Sequence, residues 1–140
     1  MSTVLNPYLS FRGNAREAME FYRDVFGGEL QVSTFGEYQA AEDPSEAGLV
    51  MHSRLTTTAG YVLMGSDTPE RRPLTPGNSI SVSLGGEDRE ELEGYWNGLS
   101  QGATITQPLT ASPWGDSFGM LVDRFGVTWL VNIAGAPAQA

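Results

Sequence analysis

His52 is the only histidine among the 140 residues. It is therefore the one side chain here that ordinarily titrates near neutrality, and the natural candidate for acid–base chemistry. It sits in VMHSRL, which reads as a strand, and every second strand residue points away from a given face. Two readings stand: a proton-handling group in a pocket, or a structural or exposed histidine. Glu37 ends the preceding strand in FGE, and the two could meet if those strands are neighbours. A histidine with a carboxylate partner is the minimum for proton transfer, and also a common structural pair.

Trp114 lies in SPWGDSFG, a stretch with the glycine and polar content of a pocket rim. There it would stack on a flat ligand while Asp116 favours a cation, or else pack between protomers. Phe11, Tyr61, Met64 and Trp129 read first as core and second as the apolar wall of a binding cavity. Arg71 and Arg72 form a dibasic pair in a proline-rich stretch, either an anion site or simply exposed. Asp123 precedes Arg124-Phe125-Gly126, where its side chain would shape a turn. No nucleophile elbow, P-loop or dinucleotide fingerprint is present. The absence of cysteine removes thiol nucleophiles and thiolate metal sites.

The elements that must position these residues are plainest from Asn6 to Leu30, NPYLSFRGNAREAMEFYRDVFGGEL. Tyr8 to Phe11 is a short strand. Asn14 can cap a helix with Glu17 reaching back, and Ala15, Ala18, Met19, Tyr22, Val25 and Phe26 recur on one helical face before Gly27-Gly28 ends it. Glu29 to Gly36 alternates as a strand, Glu37 to Gly48 is an acidic loop, and Leu49–Leu55 and Tyr61–Met64 read as a strand pair. The order then repeats: a strand at Ser79–Leu84, a helix capped by Asp88 with Leu92, Tyr95, Trp96 and Leu99 on one face, a stop at Gly102, and three strands. These are a strand from Ala103, a loop from Pro108 to Ser117, then Phe118–Val122 and Val127–Ile133. The fold class is α+β: two βαβββ repeats forming a curved mixed sheet around a shared concavity, helices on the outer face. Repeat one spans 4–66, a linker 67–78, repeat two 79–133, and 134–140 is a frayed tail. Because a half this size is marginal alone, the two are expected to share one domain.

With 17 acidic and 8 basic residues the formal net charge is −9, so a phosphate backbone is repelled and nucleic acid is excluded as a partner. No apolar run approaches the roughly 20 residues that span a bilayer. The expected setting is the cytoplasm, without membrane attachment.

The repeated βαβββ order, PYLSF, the helix ending EFYRDVFGGEL, and WGDSFGMLVDRFGVTWLVN together resemble the vicinal oxygen chelate (glyoxalase/bleomycin resistance/dioxygenase) superfamily, and within it the PhnB-like branch. The resemblance runs from Asn6 to about Ile133. Metal-dependent members hold one divalent ion through His, Gln or Glu at four positions, which align here with Pro7, Met64, Asn78 and Leu130. Only Asn78 has a polar side chain, so the resemblance implies a member without the usual metal and with no cofactor. A ubiquinone-pathway methyltransferase label often attaches to this branch, yet the chain has no glycine-rich loop of the kind such a reaction uses. The expected function is binding of a small molecule by a homodimer, with Phe11, Tyr61, Met64, Asn78, Trp114 and Trp129 as ligand-binding candidates. Two alternatives remain open: a lyase, isomerase or dioxygenase using His52 and Glu37, and sequestration of a cationic drug.

Overall fold

The computed structural model describes residues 3–135; the rest of the expected tail, 136–140, lies outside the described residues. Two compact units divide between Pro76 and Gly77. The first contains β1 (Tyr8–Phe11), α1 (Ala15–Phe26), β2 (Glu29–Thr34), β3 (Val50–Thr56) and β4 (Val62–Asp67). The second contains β5 (Val82–Gly86), α2 (Arg89–Leu99), β6 (Thr104–Ala111), β7 (Ser117–Val122) and β8 (Thr128–Ile133). Each unit is a four-stranded mixed sheet in the same order, β1-β4-β3-β2 and β5-β8-β7-β6, whose first and last strands run parallel. This is the repeated βαβββ, α+β architecture expected from the sequence.

In the first unit, Ala15, Ala18, Met19, Tyr22 and Phe26 are buried, the stripe that helical spacing predicts. They pack on Phe11, Leu55, Leu63 and the backbone at Gly65. The start of α1 differs from expectation. Asn14 makes no side-chain cap. Instead Asp67, at the end of β4, accepts the Ala15 N–H through Oδ1 and the Val50 N–H through Oδ2, both at 2.9 Å. Asp67 thus belongs to the sheet rather than opening a linker, and a buried carboxylate serves the helix N-terminus from another element.

The second helix follows the local rule, with the Asp88 carboxylate accepting the Glu91 N–H at 3.0 Å. Its buried residues, Leu92, Tyr95, Trp96 and Leu99, belong to the same core as Leu121, Trp129, Val131 and Ile133. Pro108 was expected in a loop but lies within β6. That strand is at the sheet edge, and its pairing with β7 slips between Gln107 and Thr110, so the missing N–H leaves no central ladder bond unmade. The turns joining the last two strands correspond: Thr57 N–H to Tyr61 O and Gly60 N–H to Thr57 O in the first unit, Asp123 N–H to Val127 O and Gly126 N–H to Asp123 O in the second. Asp123 adds bonds from the Phe125 and Val127 N–H groups and from Trp129 Nε1, at 2.8, 3.1 and 2.8 Å, the turn role expected of it together with a core anchor.

Close packing predicts one sharp sensitivity in this unit. A Cβ at Gly119 would stand 2.7 Å from Trp96 Cη2 and 3.0 Å from the Leu109 Cα, with sheet backbone on one side and a large buried ring on the other. Gly119→Ala is expected to cost about 1–3 kcal/mol, read as a lower urea midpoint. An unchanged midpoint would show that Trp96 relaxes freely.

Candidate functional site

In the first unit, register assigns each strand residue to a face. Leu9, Phe11, Leu55, Leu63, Gly65 and Asp67 lie under α1. The opposite, helix-free face carries three rows. Gln31, Arg54, Met64 and Tyr8 are successive partners across all four strands. On one side lie Ser33 with His52 and Ser10 with Ser66; on the other lie Glu29 with Thr56 and Thr56 with Val62.

His52 therefore faces this open surface. Its Nδ1 is 3.1 Å from the Tyr8 hydroxyl, with ring centroids 5.7 Å apart and planes inclined at 31°. The bond runs diagonally from β3 to β1 across β4. Its sense depends on the tautomer: Tyr8 donates to a neutral Nδ1, or a protonated Nδ1 donates to the tyrosine oxygen. In the first case Nε2 carries the proton, and in the second the phenol proton is free. Either way the pair keeps a donor for a third group. Tyr8 is the partner of His52 that sequence reasoning missed. Its position in PYLSF was visible, but not a contact between residues 44 positions apart.

Glu37 does not join this pair, although β2 and β3 are neighbours as required. Its carboxylate Oε1 accepts the Thr34 N–H at 3.2 Å and the Thr34 hydroxyl at 3.0 Å, while its own N–H donates to Thr34 Oγ1 at 3.2 Å. It closes a local turn. Met64 faces the helix-free surface two strands from Gln31 and next to Tyr8. Tyr61 is 44% exposed at the β3–β4 turn, where its N–H donates to Thr57 Oγ1. Phe11 and Trp129, read first as core and second as ligand-binding wall, lie on helix-covered faces, 4% and 1% exposed, so the core reading holds and the ligand-binding one does not. Phe11 packs near Gly65 and Met19, and the Trp129 indole is bonded to Asp123. Asn78 is exposed near the start of the second unit, and Trp114 is 75% exposed in a loop where the Ser112 N–H and hydroxyl both donate to the Asp116 carbonyl. Arg71, weighed as an anion ligand, is taken up by Glu42 and by the buried Glu46, each at 3.1 Å.

The four positions aligned with the superfamily's metal ligands do not fit a divalent ion. The Pro7 carbonyl accepts the Met64 N–H at 3.1 Å, Met64 offers only a thioether, Leu130 offers nothing, and a lone Asn78 amide is a weak ligand. Among the described residues no three His, Asp or Glu side chains converge on one point.

The model of a family described as 3-demethylubiquinone-9 3-methyltransferase matches residues 3–132. The chain is similar to protein PA1353 from Pseudomonas aeruginosa, at 36% identity and a TM-score of 0.82, over 95% of this chain and 98% of that one. It is also similar to a putative 3-demethylubiquinone-9 3-methyltransferase, PhnB protein, from Bacillus cereus, at 28% identity and a TM-score of 0.72, over 94% and 100% of the two chains. A glyoxylase/bleomycin resistance protein/dioxygenase domain from Frankia sp. EAN1pec shares the fold, with a TM-score of 0.63 at 13% identity over 96% and 98% of the chains. Repeated βαβββ units, matched almost end to end, make this chain a member of the PhnB-like family described as 3-demethylubiquinone-9 3-methyltransferase, with the fold of the glyoxalase/bleomycin resistance/dioxygenase superfamily.

Proposed function

We propose that this chain binds a small molecule on the helix-free face of its first sheet, without a resident divalent ion, and that the His52–Tyr8 pair supplies the polar contact that orients it. The observation that carries this reading is the 3.1 Å bond that holds the sole histidine on an open face beside Met64 and Arg54. Polar side chains that converge beside an apolar surface, here Met64, suit the orientation of a small molecule.

Methyl transfer, which the family description names, is not our reading. Donor cofactors are commonly seated where a strand turns into a helix N-terminus. Here both helix starts are already occupied by carboxylates of the chain itself, Asp67 at α1 and Asp88 at α2. The alternative of a Glu37–His52 proton relay loses its support, because Glu37 is committed to Thr34. We propose further that the protein works in the cytoplasm as a homodimer, a second copy covering the apolar side chains left open at Leu5, Ile80 and Trp114. Among the described residues no helix is long and apolar enough to cross a membrane.

Metal analysis of protein purified without chelator, followed by titration with Mn, Fe, Ni and Zn, is expected to find no stoichiometric ion. An ion bound one to one and lost in His52→Ala would overturn the metal-free reading. Sedimentation equilibrium is expected to return twice the chain mass; a monomer would remove the dimer.

A further inference from the structure

The charges on the helix-free face are distributed in a way the chain's overall acidity conceals. All eight basic residues are arginines. Arg23, Arg71 and Arg89 are ion-paired with Asp24, with Glu42 and Glu46, and with Glu93. Arg12 donates to the Thr68 and Pro69 carbonyls, and Arg124 to the Gln101 carbonyl. Among the described residues Arg54 makes neither kind of bond, as is also true of Arg16, on an exposed part of α1, and Arg72, in the proline-rich stretch that ends the first unit. Arg54 alone among these three stands on a sheet, in the same row as Tyr8, with Met64 between them.

The spacing suits a particular ligand. Neighbouring strands are about 4.8 Å apart, so Arg54 and Tyr8 start roughly 10 Å from each other across β4. That separation leaves room for a carboxylate or phosphate above Met64, with the guanidinium on one side and the Tyr8–His52 pair on the other. The nearest acid by register on this face is Glu29, two residues along β2 from Gln31, about 7 Å further along the strand. Glu37, in the turn three residues past the end of β2, is engaged by Thr34. Among the strand residues of this face, Arg54 is therefore the fixed charge nearest its centre. A planar guanidinium matches two oxygens of a carboxylate or phosphate, and the thioether of Met64 supports the adjoining carbon skeleton.

We propose that this face is specific for small organic oxyanions, with Arg54 as the charge-bearing ligand and Tyr8–His52 as the second point of attachment. The proposal rests on the binding reading above and reverses the expectation of a cationic ligand that a net charge of −9 invites. The selectivity is local, because an exposed charge acts over about one Debye length, roughly 10 Å at moderate salt.

The test uses four probes of one size, benzoate, phenyl phosphate, benzamide and benzylammonium, titrated at low ionic strength into the full-length protein and followed by amide chemical shifts. Benzoate or phenyl phosphate is expected to shift β1, β3 and β4 amides saturably, and whichever of the two binds more tightly assigns the carboxylate or phosphate source. Arg54→Gln is expected to weaken that binding about tenfold, with Arg54→Lys restoring part of it. Arg54 is exposed, so an unchanged thermal midpoint serves as the folding control. Saturable binding of benzamide or benzylammonium on this face at equal or greater affinity, or anion binding indifferent to Arg54→Gln, would overturn the oxyanion assignment while leaving the binding site. No response on these strands to any of the four would overturn both.

Discussion

Asp67→Ala is expected to cost the first unit about 3–4 kcal/mol, a large fraction of the stability of a small domain. The side chain is 5% exposed, and its two oxygens serve two elements distant in sequence: the first N–H of α1 and the first N–H of β3. Removing it orphans both donors in a buried place, and hydrogen bonds to a charged group contribute about 1.5–3 kcal/mol each. It also removes the negative charge that complements the helix N-terminus. Asp67→Asn keeps one acceptor oxygen but turns an amide NH₂ toward the other donor, so it should fall between the two. Urea unfolding measures the loss, and native-state hydrogen exchange should show the Ala15 and Val50 amides losing protection first. A loss below about 1 kcal/mol would mean that water replaces the carboxylate, and the tie between helix and sheet would carry no weight.

Gly28→Ala is the second large effect, expected at about 2–4 kcal/mol by adding left-handed strain to overpacking. The backbone at Gly28 has φ 105°, and a Cβ there would run into the Thr56 carbonyl oxygen and stand 2.7 Å from the Thr57 Cα. Both obstacles are backbone, so no rotamer change relieves them. Thr56 pairs with Glu29 where β2 begins, so the clash falls on the pairing that starts the β2–β3 ladder. The same substitution at Gly60, where nothing lies within 4 Å at φ 96°, is the comparison that separates the two causes. It should show conformational strain alone, about 1–2 kcal/mol. Equal losses at both sites would show that the Gly28 collision relaxes away.

Much of the architecture was legible before any coordinates. The apolar spacing of Ala15 to Phe26 and of Leu92 to Leu99 is a one-dimensional record of a helix lying on a sheet, and both stripes are buried as that record requires. Asp88 caps its own helix within three residues, the separation over which local chemistry decides. Where a partner came from another element, local reasoning failed. Asn14 had the right type and place to cap α1, but Asp67 arrives from 52 residues away and takes the bond. Pro108 looked like a loop residue because a proline cannot donate, yet an edge strand does not ask it to.

The candidate site divides in the same way. The type of residue that could handle a proton was settled by composition, since the chain has one histidine and no cysteine. Which face it occupies was not, because alternation along β3 fixes only relative sides and leaves open which side the helix covers. Phe11 and Met64 lie on strands that pair with each other, but opposite parity sends Phe11 under α1 and leaves Met64 on the open face. β2 and β3 are neighbours, the condition under which Glu37 and His52 could meet, but Glu37 lies in the turn beyond β2 and is held there by Thr34. Local chemistry, meaning periodicity, caps three residues away and turn glycines, was therefore determined by the sequence alone. Long-range choices were left to the tertiary structure: Asp67 over Asn14, Tyr8 over Glu37, and Arg54 brought into line with Tyr8. These choices depend on strand order and register, which place residues side by side through hydrogen bonds between distant segments and leave no short-range pattern in the chain.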